Sequence, residues 1–236
     1  MSDQDSLSNT LSPKIVLSER KSFNLNLLPP INLKRVDSDQ GRYYLSDSGK
    51  KLRSITAVLS KLNADAIARW RQSVGEEEAN KISSAATSRG TAVHSIAERY
   101  VLGEADFLQE SSSHRVQMFS QIKQWLDANV DVVLGVELKL ASERLAIAGT
   151  CDLVCQVGDT VYIVDYKTAS KDKRAEYINN YFLQCAGYSV MLEESYSIVA
   201  KRFAVIVAVE FRRQPQVFDY DVSDFRLQLE SVLPTL

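Results

Sequence analysis

Two apolar segments joined by a two-residue turn constrain the fold of this chain more than any other feature. Residues 151–157 and 160–165 each have the length and apolar content of a strand, and Gly158-Asp159 between them is typical of a tight turn. Because such a turn joins antiparallel neighbours, the pair predicts a β-hairpin within a sheet. Side chains alternate across a strand, so one face of the second strand carries four residues: Val161, Ile163, Asp165 and Lys167.

A second carboxylate enters this hairpin from its other strand. The string Gly149-Thr150-Cys151-Asp152 begins the first strand, and the hairpin brings Asp152 to the same mouth of the sheet as Asp165 and Lys167. Carboxylate oxygens are the ligands that Mg²⁺ and Mn²⁺ prefer, and a lysine can face the attacking water or the charge that develops on phosphorus. These residue types in this pattern are the parts that a metal-dependent phosphodiesterase needs, which makes the chain a nuclease candidate.

A similar triplet, Glu137-Leu138-Lys139, lies on the preceding predicted strand. Triplets of this kind occur by chance in most chains, so the surrounding sequence must decide which of the two triplets is functional. Asp165-Tyr166-Lys167 ends an apolar strand, enters a polar loop and is paired through a tight turn with the strand of Asp152. The other triplet continues into a further apolar residue without an acidic partner on an adjoining short hairpin. We therefore expect Asp165 and Lys167 to be functional and keep Glu137 as a secondary candidate.

Composition bounds the class of protein. The 236 residues are 45% hydrophobic and 25% charged, as in a globular protein with one domain of ordinary size and an appended tail. The sequence has no apolar run of about 18 residues and no secretory signal or transit peptide, so we expect no membrane association and a cytoplasmic setting. The three cysteines form no C-x-x-C pair, which argues against a disulfide framework, a four-cysteine Zn²⁺ site and an iron–sulfur cluster.

Net charge is a weak guide to the partners of this chain. The formal net charge is −2, but a local basic path is enough for an enzyme that releases its product quickly. Four basic clusters occur, at residues 50–53, 171–174, 201–202 and 212–213. We expect the second cluster, directly downstream of Lys167, to bind DNA. The DNA-binding candidates are Arg53, Lys171, Lys173 and Arg174.

The order of helices and strands predicts an α/β core with a mixed sheet. Residues 1–30 show no sustained period and end at Pro29-Pro30, so we expect a flexible polar arm. Residues 31–236 would form a single domain, with a short hairpin over 42–55, a helical part over about 55–130 and a sheet core over about 131–236. The predicted helices cover about 56–62, 64–71, 78–101, 116–128, 176–194 and 223–233. The predicted strands of the core cover 132–140, 145–148, 151–157, 160–165, 203–211 and 217–222.

Two predicted helices carry polar pairs spaced one turn apart. His94 and Glu98 lie on the long helix that precedes the sheet core. One interpretation makes His94 a metal ligand, and the other makes it a half-buried histidine satisfied by a hydrogen bond. Gln184 and Tyr188 lie on the helix that follows Lys167. They belong either to an amphipathic surface whose tyrosine hydroxyls reach water or to a site that faces a metal ion and a nucleic-acid backbone.

Together these segments resemble the motifs of the PD-(D/E)xK nuclease superfamily. Its motifs occur here in order and at roughly its spacing, as G-T-A-V-H at 90–94, G-T-C-D at 149–152, V-D-Y-K at 164–167 and Q-C-A-G-Y at 184–188. The resemblance spans about residues 42–232 and favours the branch that contains the RecB nuclease domain, Cas4 and the mitochondrial genome maintenance exonuclease with its phage relatives. Cas4-type members hold an iron–sulfur cluster with four cysteines. This chain cannot supply them, so it is more similar to the cluster-free exonucleases.

The resemblance implies a restriction-endonuclease-like core and assigns roles to site residues. The ligands of one or two Mg²⁺ or Mn²⁺ ions would be His94, Asp152, Asp165 and the backbone carbonyl of Tyr166. Lys167 would be the catalytic lysine. Gln184 and Tyr188 would complete the site. Glu98 and Glu137 are secondary candidates.

We therefore expect a Mg²⁺- or Mn²⁺-dependent DNA exonuclease acting on single-stranded ends in replication, recombination or degradation, in a bacterial or phage-infected cell. By the resemblance, the helical residues 55–101 would cover the site and admit single strands but exclude duplex. Two alternatives stay open. One is a structure-specific endonuclease or nickase with the same site, and the other is a catalytically silent DNA-binding module.

Overall fold

The computed structural model describes residues 20–38 and 41–236. The strands are β1 (Asn24–Leu25), β2 (Lys34–Ser38), β3 (Gly41–Leu45), β4 (Lys51–Ser54), β5 (Val132–Ser142), β6 (Ile147–Val157), β7 (Thr160–Ala169), β8 (Arg202–Val209) and β9 (Gln216–Asp221). The α-helices are α1 (Ile55–Ser60), α2 (Ala64–Val74), α3 (Glu76–Val101), α4 (Ser113–Asn129), α5 (Asn179–Tyr196) and α6 (Ser223–Val232). Short 3₁₀ turns cover Lys61–Asn63, Ala175–Tyr177 and Leu233–Thr235.

The strands form one mixed sheet. Its main path runs β2-β3-β4-β6-β7-β8-β9, while β5 pairs with β6 and β1 pairs with β5. Strands β5, β6 and β7 follow one another as antiparallel neighbours, whereas β7 and β8 are parallel. A parallel pair needs a crossover connection, and α5 supplies it.

Strand β6 has two different partners along one of its edges. Strand β5 pairs with β6 along nearly its whole length and so occupies the other edge. On the first edge, β4 pairs with Ile147 and Ala148, and β7 pairs with residues 153–157. Among the described residues, no strand pairs with residues 149–152 on that edge. The sheet therefore opens at these four residues.

Helices cover both faces of the sheet. Helices α1, α5 and α6 contribute to one hydrophobic core, and α3 and α4 contribute to the other. Strand β8 is buried between the two cores, because its alternate residues enter different clusters. Phe203, Val205 and Val207 face the first, and Ala204, Ile206 and Ala208 face the second. This explains why β8 is a continuous apolar run in the sequence.

The N-terminal segment differs from the predicted flexible arm. Residues 1–19 of that arm lie outside the described residues. Residues 20–30 pack on the fold, because β1 pairs with β5 and the ring of Phe23 contacts the ring of Tyr100 edge-on at 5.6 Å. Lys21 Nζ also donates to the carbonyl oxygens of Asp127 at 2.9 Å and Val130 at 2.6 Å. The prediction of an arm is therefore wrong for residues 20–30, where backbone pairing and a few anchors leave no periodic pattern.

Three further differences concern the strands. The segments predicted at 145–148 and 151–157 belong to one strand, β6, because β5 pairs with it throughout. Strand β7 continues to Ala169, beyond the predicted end at Asp165, because β8 pairs with it as far as Ala169 and Val209. Strands β1 and β2 were not predicted. The three cysteines are buried free thiols, and none of the described helices is both long and apolar enough to cross a membrane.

Candidate metal and catalytic site

A cleft of about 710 Å³ lies where β6 and β7 separate. The ladder between these strands ends at Leu153 and Val164, although β6 begins at Ile147 and β7 continues to Ala169. Helix α3 and the β2–β3 hairpin supply further walls of the cleft. Eight of the predicted site residues line it: His94, Glu98, Glu137, Asp152, Asp165, Lys167, Gln184 and Tyr188. The fold thus brings together side chains from α3, β5, β6, β7 and α5.

The carboxylate of Asp152 bridges the gap between the separating strands. Its Oδ2 accepts a hydrogen bond from the backbone N–H of Tyr166 at 2.7 Å. Its Oδ1 lies 3.4 Å from Nδ1 of His94. Burial alone would raise the pKa of this carboxyl group, but the charges of His94 and Lys167 and the N–H donor bring it below its usual value. Asp152 is therefore ionised at neutral pH.

Helix α3 presents His94 to both strands. A buried apolar stripe packs the helix on the sheet, and His94 Nε2 donates to the carbonyl oxygen of Tyr166 at 2.8 Å. Burial disfavours the charged imidazolium, but Asp152, with a further contribution from Asp165, outweighs it and raises the pKa of His94 to about 9. The Tyr166 carbonyl, predicted as a metal ligand, therefore lies in direct contact with the predicted histidine ligand.

Asp165 and Lys167 form an ion pair at the bottom of the cleft. Asp165 is 1% exposed, and its Oδ2 contacts Nζ of Lys167. Burial raises the pKa of Asp165 to about 6 against the opposing charge of Lys167. Burial would lower the pKa of Lys167, but Asp165 and Asp152 raise it above its ordinary value. Lys167 Nζ also lies 4.9 Å from the ring centroid of Tyr181, so the ammonium group is held between a carboxylate and an aromatic face.

Helix α5 orients Asp165 through Gln184 and Tyr188. Gln184 Nε2 donates to Asp165 Oδ1 at 3.3 Å and to the hydroxyl of Tyr188 at 3.0 Å. Gln184 is 8% exposed and Tyr188 is 2% exposed. Neither side chain belongs to a water-facing helix surface. Of the two interpretations of this pair, the geometry agrees with the one in which both face the site.

Gly149 allows α5 to approach the opened strand. A Cβ atom at this position would lie 2.8 Å from Cε1 of Tyr188 and 2.9 Å from Cγ2 of Ile55, which is closer than real Cβ contacts. The glycine of G-T-C-D is therefore required by packing. The glycine of G-T-A-V-H is different, because a Cβ at Gly90 would meet only Thr168 Oγ1, at an ordinary 3.7 Å.

Glu137 lies close to Asp152, with carboxylate oxygens of the two residues within 4.8 Å of each other. The β5–β6 register pairs Val136 with Leu153 and Leu138 with Cys151, which brackets these two residues. Glu137 has a φ of +46°, an uncommon backbone conformation that persists only where the surrounding structure enforces it. Partial desolvation inside the cleft and the charge of Asp152 raise the pKa of Glu137 to about 7. Glu137 thus has the acidic partner that its sequence context did not reveal.

The lysine of the Glu137 triplet does not share this placement. Lys139 Nζ donates to the carbonyl oxygen of Leu33 at 3.3 Å, and Lys139 does not line the cleft. Glu137-Leu138-Lys139 is therefore a carboxylate–lysine string whose two charged groups point to different places, whereas Asp165 and Lys167 contact each other.

The arginines that line the cleft are not among the DNA-binding candidates named from the sequence. Arg53 Nη2 reaches the carbonyl oxygen of Leu233 at 3.5 Å, away from the cleft. The loop between β7 and α5 holds three more candidates outside the cleft: Lys171, Lys173 and Arg174. The cleft wall instead carries Arg35 and Arg42, which bond to Asp37 at 2.9 Å and 3.0 Å. Recognising residues 34–38 as a strand paired with the predicted hairpin would have placed both arginines on one ribbon.

A mixed sheet between two helical layers, with a carboxylate–lysine cleft at the opening of the sheet, defines a nuclease-type α/β core. The family model of the PD-(D/E)XK nuclease superfamily matches residues 64–230, more than half of the chain, and the chain belongs to this superfamily. The predicted superfamily and restriction-endonuclease-like fold class are confirmed. The match begins at α2 and includes His94, Asp152, Asp165 and Lys167.

Other comparisons are less informative. The solved structure titled "Crystal structure of SSO0001" aligns with a TM-score of 0.32 and 11% sequence identity, over 93% of this chain and 80% of that chain. Comparison with curated protein sequences finds no match. PD-(D/E)XK nucleases use divalent metal ions, and a candidate acidic and histidine site for such an ion is present in the cleft.

Proposed function

We propose that this chain is a divalent-metal-dependent deoxyribonuclease that removes nucleotides from the ends of single-stranded DNA. The observation that carries the proposal is the meeting of metal-binding and catalytic side chains in one cleft. Asp152, Asp165 and Lys167 approach from two separating strands, and His94 and Glu137 approach from a helix and a third strand. A purely structural role would not require one buried carboxylate, one half-buried carboxylate and an ammonium group at the opening of a sheet.

The donor set of the cleft fits a hard divalent cation. Ligand atoms of His94, Glu137 and Asp152 lie within 4.8 Å of one another. The buried Oδ2 of Asp165 has an ion pair with Lys167 but no hydrogen bond in the described part of the chain. Carboxylate oxygens suit Mg²⁺ and Mn²⁺, and an imidazole adds a nitrogen ligand. We propose one or two such ions, with the carbonyl of Tyr166 as a further ligand. An ion held by these residues would supply Lewis-acid polarisation of the phosphoryl group and neutralisation of negative charge.

Lys167 supplies the second positive charge of the mechanism. Its ammonium group is fixed by Asp165 and the ring of Tyr181, so it needs little reorganisation when a phosphate enters. From this position it stabilises charge on the phosphoryl oxygens as the nucleophile approaches phosphorus. Gln184 contributes by holding the orientation of Asp165. Glu98 also lines the cleft, from α3, and adds to the negative charge that attracts cations.

The preference for single strands rests on the size of the cleft and on its walls. The cleft has a volume of about 710 Å³, within the range of pockets that hold one small ligand, so it accommodates a short piece of strand. Helix α3 contributes Gly90, Thr91 and His94 on one side, and the β2–β3 hairpin contributes Arg35 and Arg42 on another. Both walls would limit access to a chain that is threaded or presented by its end.

A time course on DNA labelled at either end tests the proposal. We expect single strands to be shortened progressively in Mg²⁺ or Mn²⁺, no cleavage in chelator, and slow cleavage of blunt duplex. The variants Asp152→Asn and Asp165→Asn should both lose the activity. Degradation that persists in chelator, or in both variants, would contradict the proposal, and absence of any cleavage would favour a binding module.

A circular single strand separates the proposed exonuclease from an endonuclease or nickase with the same site. An exonuclease leaves the circle intact. It degrades the same strand once an annealed oligonucleotide and a restriction enzyme have been used to linearise it. Cutting of the closed circle at the rate of the linear strand would assign the site to an endonuclease.

A further inference from the structure

Two loops beyond the cleft form one cationic surface, which we call the two-loop surface and define as residues 170–177 and 211–213. Strands β7 and β8 are parallel and end in register at Ala169 and Val209, so both loops leave the same edge of the sheet. Arg212 Nη2 lies 2.9 Å from Asp172 Oδ2. The side chain of Gln216 joins the loops a second time, because it accepts from the N–H of Lys173 at 2.7 Å and donates to its carbonyl oxygen at 3.2 Å.

Positive charge dominates this surface on a chain whose net charge is −2. Its cationic residues are Lys171, Lys173, Arg174, Arg212 and Arg213, and its anionic residues are Asp172 and Glu176. Both anions are already partnered, by Arg212 at 2.9 Å and by Arg174 at 3.7 Å. Lys171, Lys173 and Arg213 form no ion pair with any described residue, so their charges are available to an anionic partner.

The most exposed large hydrophobic side chain of the described residues stands on the same surface. Phe211 is 85% exposed, and its φ of +64° places a bulky residue in the left-handed region. The turn is anchored on both sides, because Arg212 N–H donates to the carbonyl oxygen of Val209 at 3.2 Å and Gln124 Nε2 donates to that of Arg213 at 2.8 Å. Folding gains almost no burial from this strained aromatic residue, so the strain points to a ligand.

We propose that the two-loop surface binds single-stranded DNA beside the cleft, with a base stacked on Phe211 and phosphates near Lys171, Lys173 and Arg213. An exposed ring among unpaired cations is the chemistry that recognises a single strand without regard to sequence. Lys171 follows Lys167 by four residues, so the chain separates the two by at most about 14 Å. A strand held at the cleft can therefore reach the surface within a few nucleotides. The statement that this surface holds the same strand as the cleft rests on the proposed nuclease function. The binding of single-stranded DNA to the surface does not.

Fluorescence anisotropy with a labelled thymidine oligonucleotide in chelator measures this binding without cleavage. We expect Phe211→Ala to weaken the affinity about tenfold without changing its salt dependence, and Phe211→Trp to retain it. We expect Arg213→Ala to reduce the slope of log affinity against log salt by about 0.7, since it removes one phosphate contact on a single strand.

Two matched controls keep the test specific. Lys201→Ala removes the same charge at the opposite end of β8, where Lys201 precedes Arg202. Leu227→Ala removes another exposed apolar side chain, 79% exposed on α6. Both should retain the affinity and the salt slope of the unmodified protein. Equal affinity for Phe211→Ala and the unmodified protein, or an equal loss in Lys201→Ala, would overturn the proposal.

Two other outcomes address the partner and the underlying function. Binding of duplex as tightly as of single strand, or of an acidic peptide in preference to both, would overturn base stacking on Phe211. Hydrolysis of bis(4-nitrophenyl) phosphate by the unmodified protein reports on the metal site alone. If the unmodified protein hydrolyses this substrate and the variants keep their DNA affinity, the proposed binding surface is refuted and the proposed nuclease function is retained. If the variants bind DNA more weakly and the unmodified protein shows no hydrolysis, the proposed binding surface is supported and the proposed nuclease function is refuted.

Discussion

The two ends of the β6–β7 hairpin are made from the same strands but hold together in different ways. Near the turn, residues 153–157 pair with residues 160–164 in a regular antiparallel ladder with buried apolar side chains. At the other end the strands separate, and a side chain replaces the ladder, since the carboxylate of Asp152 accepts the N–H of Tyr166. The first end contributes to stability and the second creates a charged cleft. The opening of the sheet, rather than the carboxylate–lysine string, therefore distinguishes the site.

The largest expected effect separates the two carboxylate–lysine triplets. Lys167→Ala should lower the rate of DNA hydrolysis by about 10²- to 10³-fold while DNA affinity is kept, because the lost charge acts mainly on the transition state. Lys139→Ala is the matched control, since the Lys139 ammonium group donates to the carbonyl of Leu33 outside the cleft. Single-turnover rates on end-labelled strands measure both. Equal rates for the two variants would contradict the expectation that only the Asp165–Lys167 triplet is catalytic.

Substitutions at the apolar end of the hairpin should lower the stability of the protein without changing the rate of DNA hydrolysis. Ile163 is fully buried in the core beneath α5, so Ile163→Ala should lower the free energy of unfolding by about 2–5 kcal/mol. Ile163→Val, which leaves a smaller cavity, should lower it by about 0.5–1.5 kcal/mol. Urea unfolding measures the loss, and turnover per folded molecule should not change. A fall in that turnover would show that the two ends are coupled.

Metal ions should stabilise the folded protein through the residues at the open end of the hairpin. A metal that binds the native state at 100 times its Kd adds about 2.7 kcal/mol, so Mn²⁺ should raise the midpoint of thermal unfolding. Asp152→Asn should abolish the rise, whereas Asp159→Asn, in the turn at the other end of the same hairpin, should keep it. Differential scanning calorimetry with and without Mn²⁺ gives the answer. A rise that survives in Asp152→Asn would place the ion elsewhere.

The smallest expected effect is a pH dependence that comes from Glu137. Its pKa of about 7 is above its ordinary value of 4.5, so the folded protein binds this proton more tightly than the unfolded chain does. The contribution to stability is complete below pH 4.5 and is lost as the pH rises through 7. In chelator, Glu137→Gln should therefore show a smaller fall in unfolding free energy between pH 5 and pH 7. The same fall in both proteins would assign the dependence to other groups.

Local patterns predicted most of the strands and helices, and they placed the residues of four motifs. Asp165 and Lys167 could be found because alternation along an apolar strand is a local property. Asp152 followed from the short turn, which fixes how two neighbouring strands meet. The predicted roles of these residues stay predictions, although the fold brings their side chains into one cleft.

What the sequence did not reveal depends on register and on distant segments. Glu137 meets Asp152 only because β5 contains an irregularity near Gly135 and a positive φ at Glu137 itself. Arg35 reaches the cleft from β2, whose charged residues resemble a solvated loop, and Arg42 reaches it from β3, which pairs with β2. Neither feature has a local hydrophobic period, so pattern analysis could not detect it.

The short strand β1 has a practical consequence for anyone who trims this chain. Residues 24–28 supply hydrogen bonds to residues 132–134, including Asn26 N–H to the carbonyl of Val133 and Leu28 N–H to that of Leu134. A fragment starting at residue 31 would expose this stretch of β5 as an apolar sheet edge, ready to pair with another molecule. Such a fragment should aggregate on expression. A shorter deletion that keeps residues 20–30 should remain dispersed.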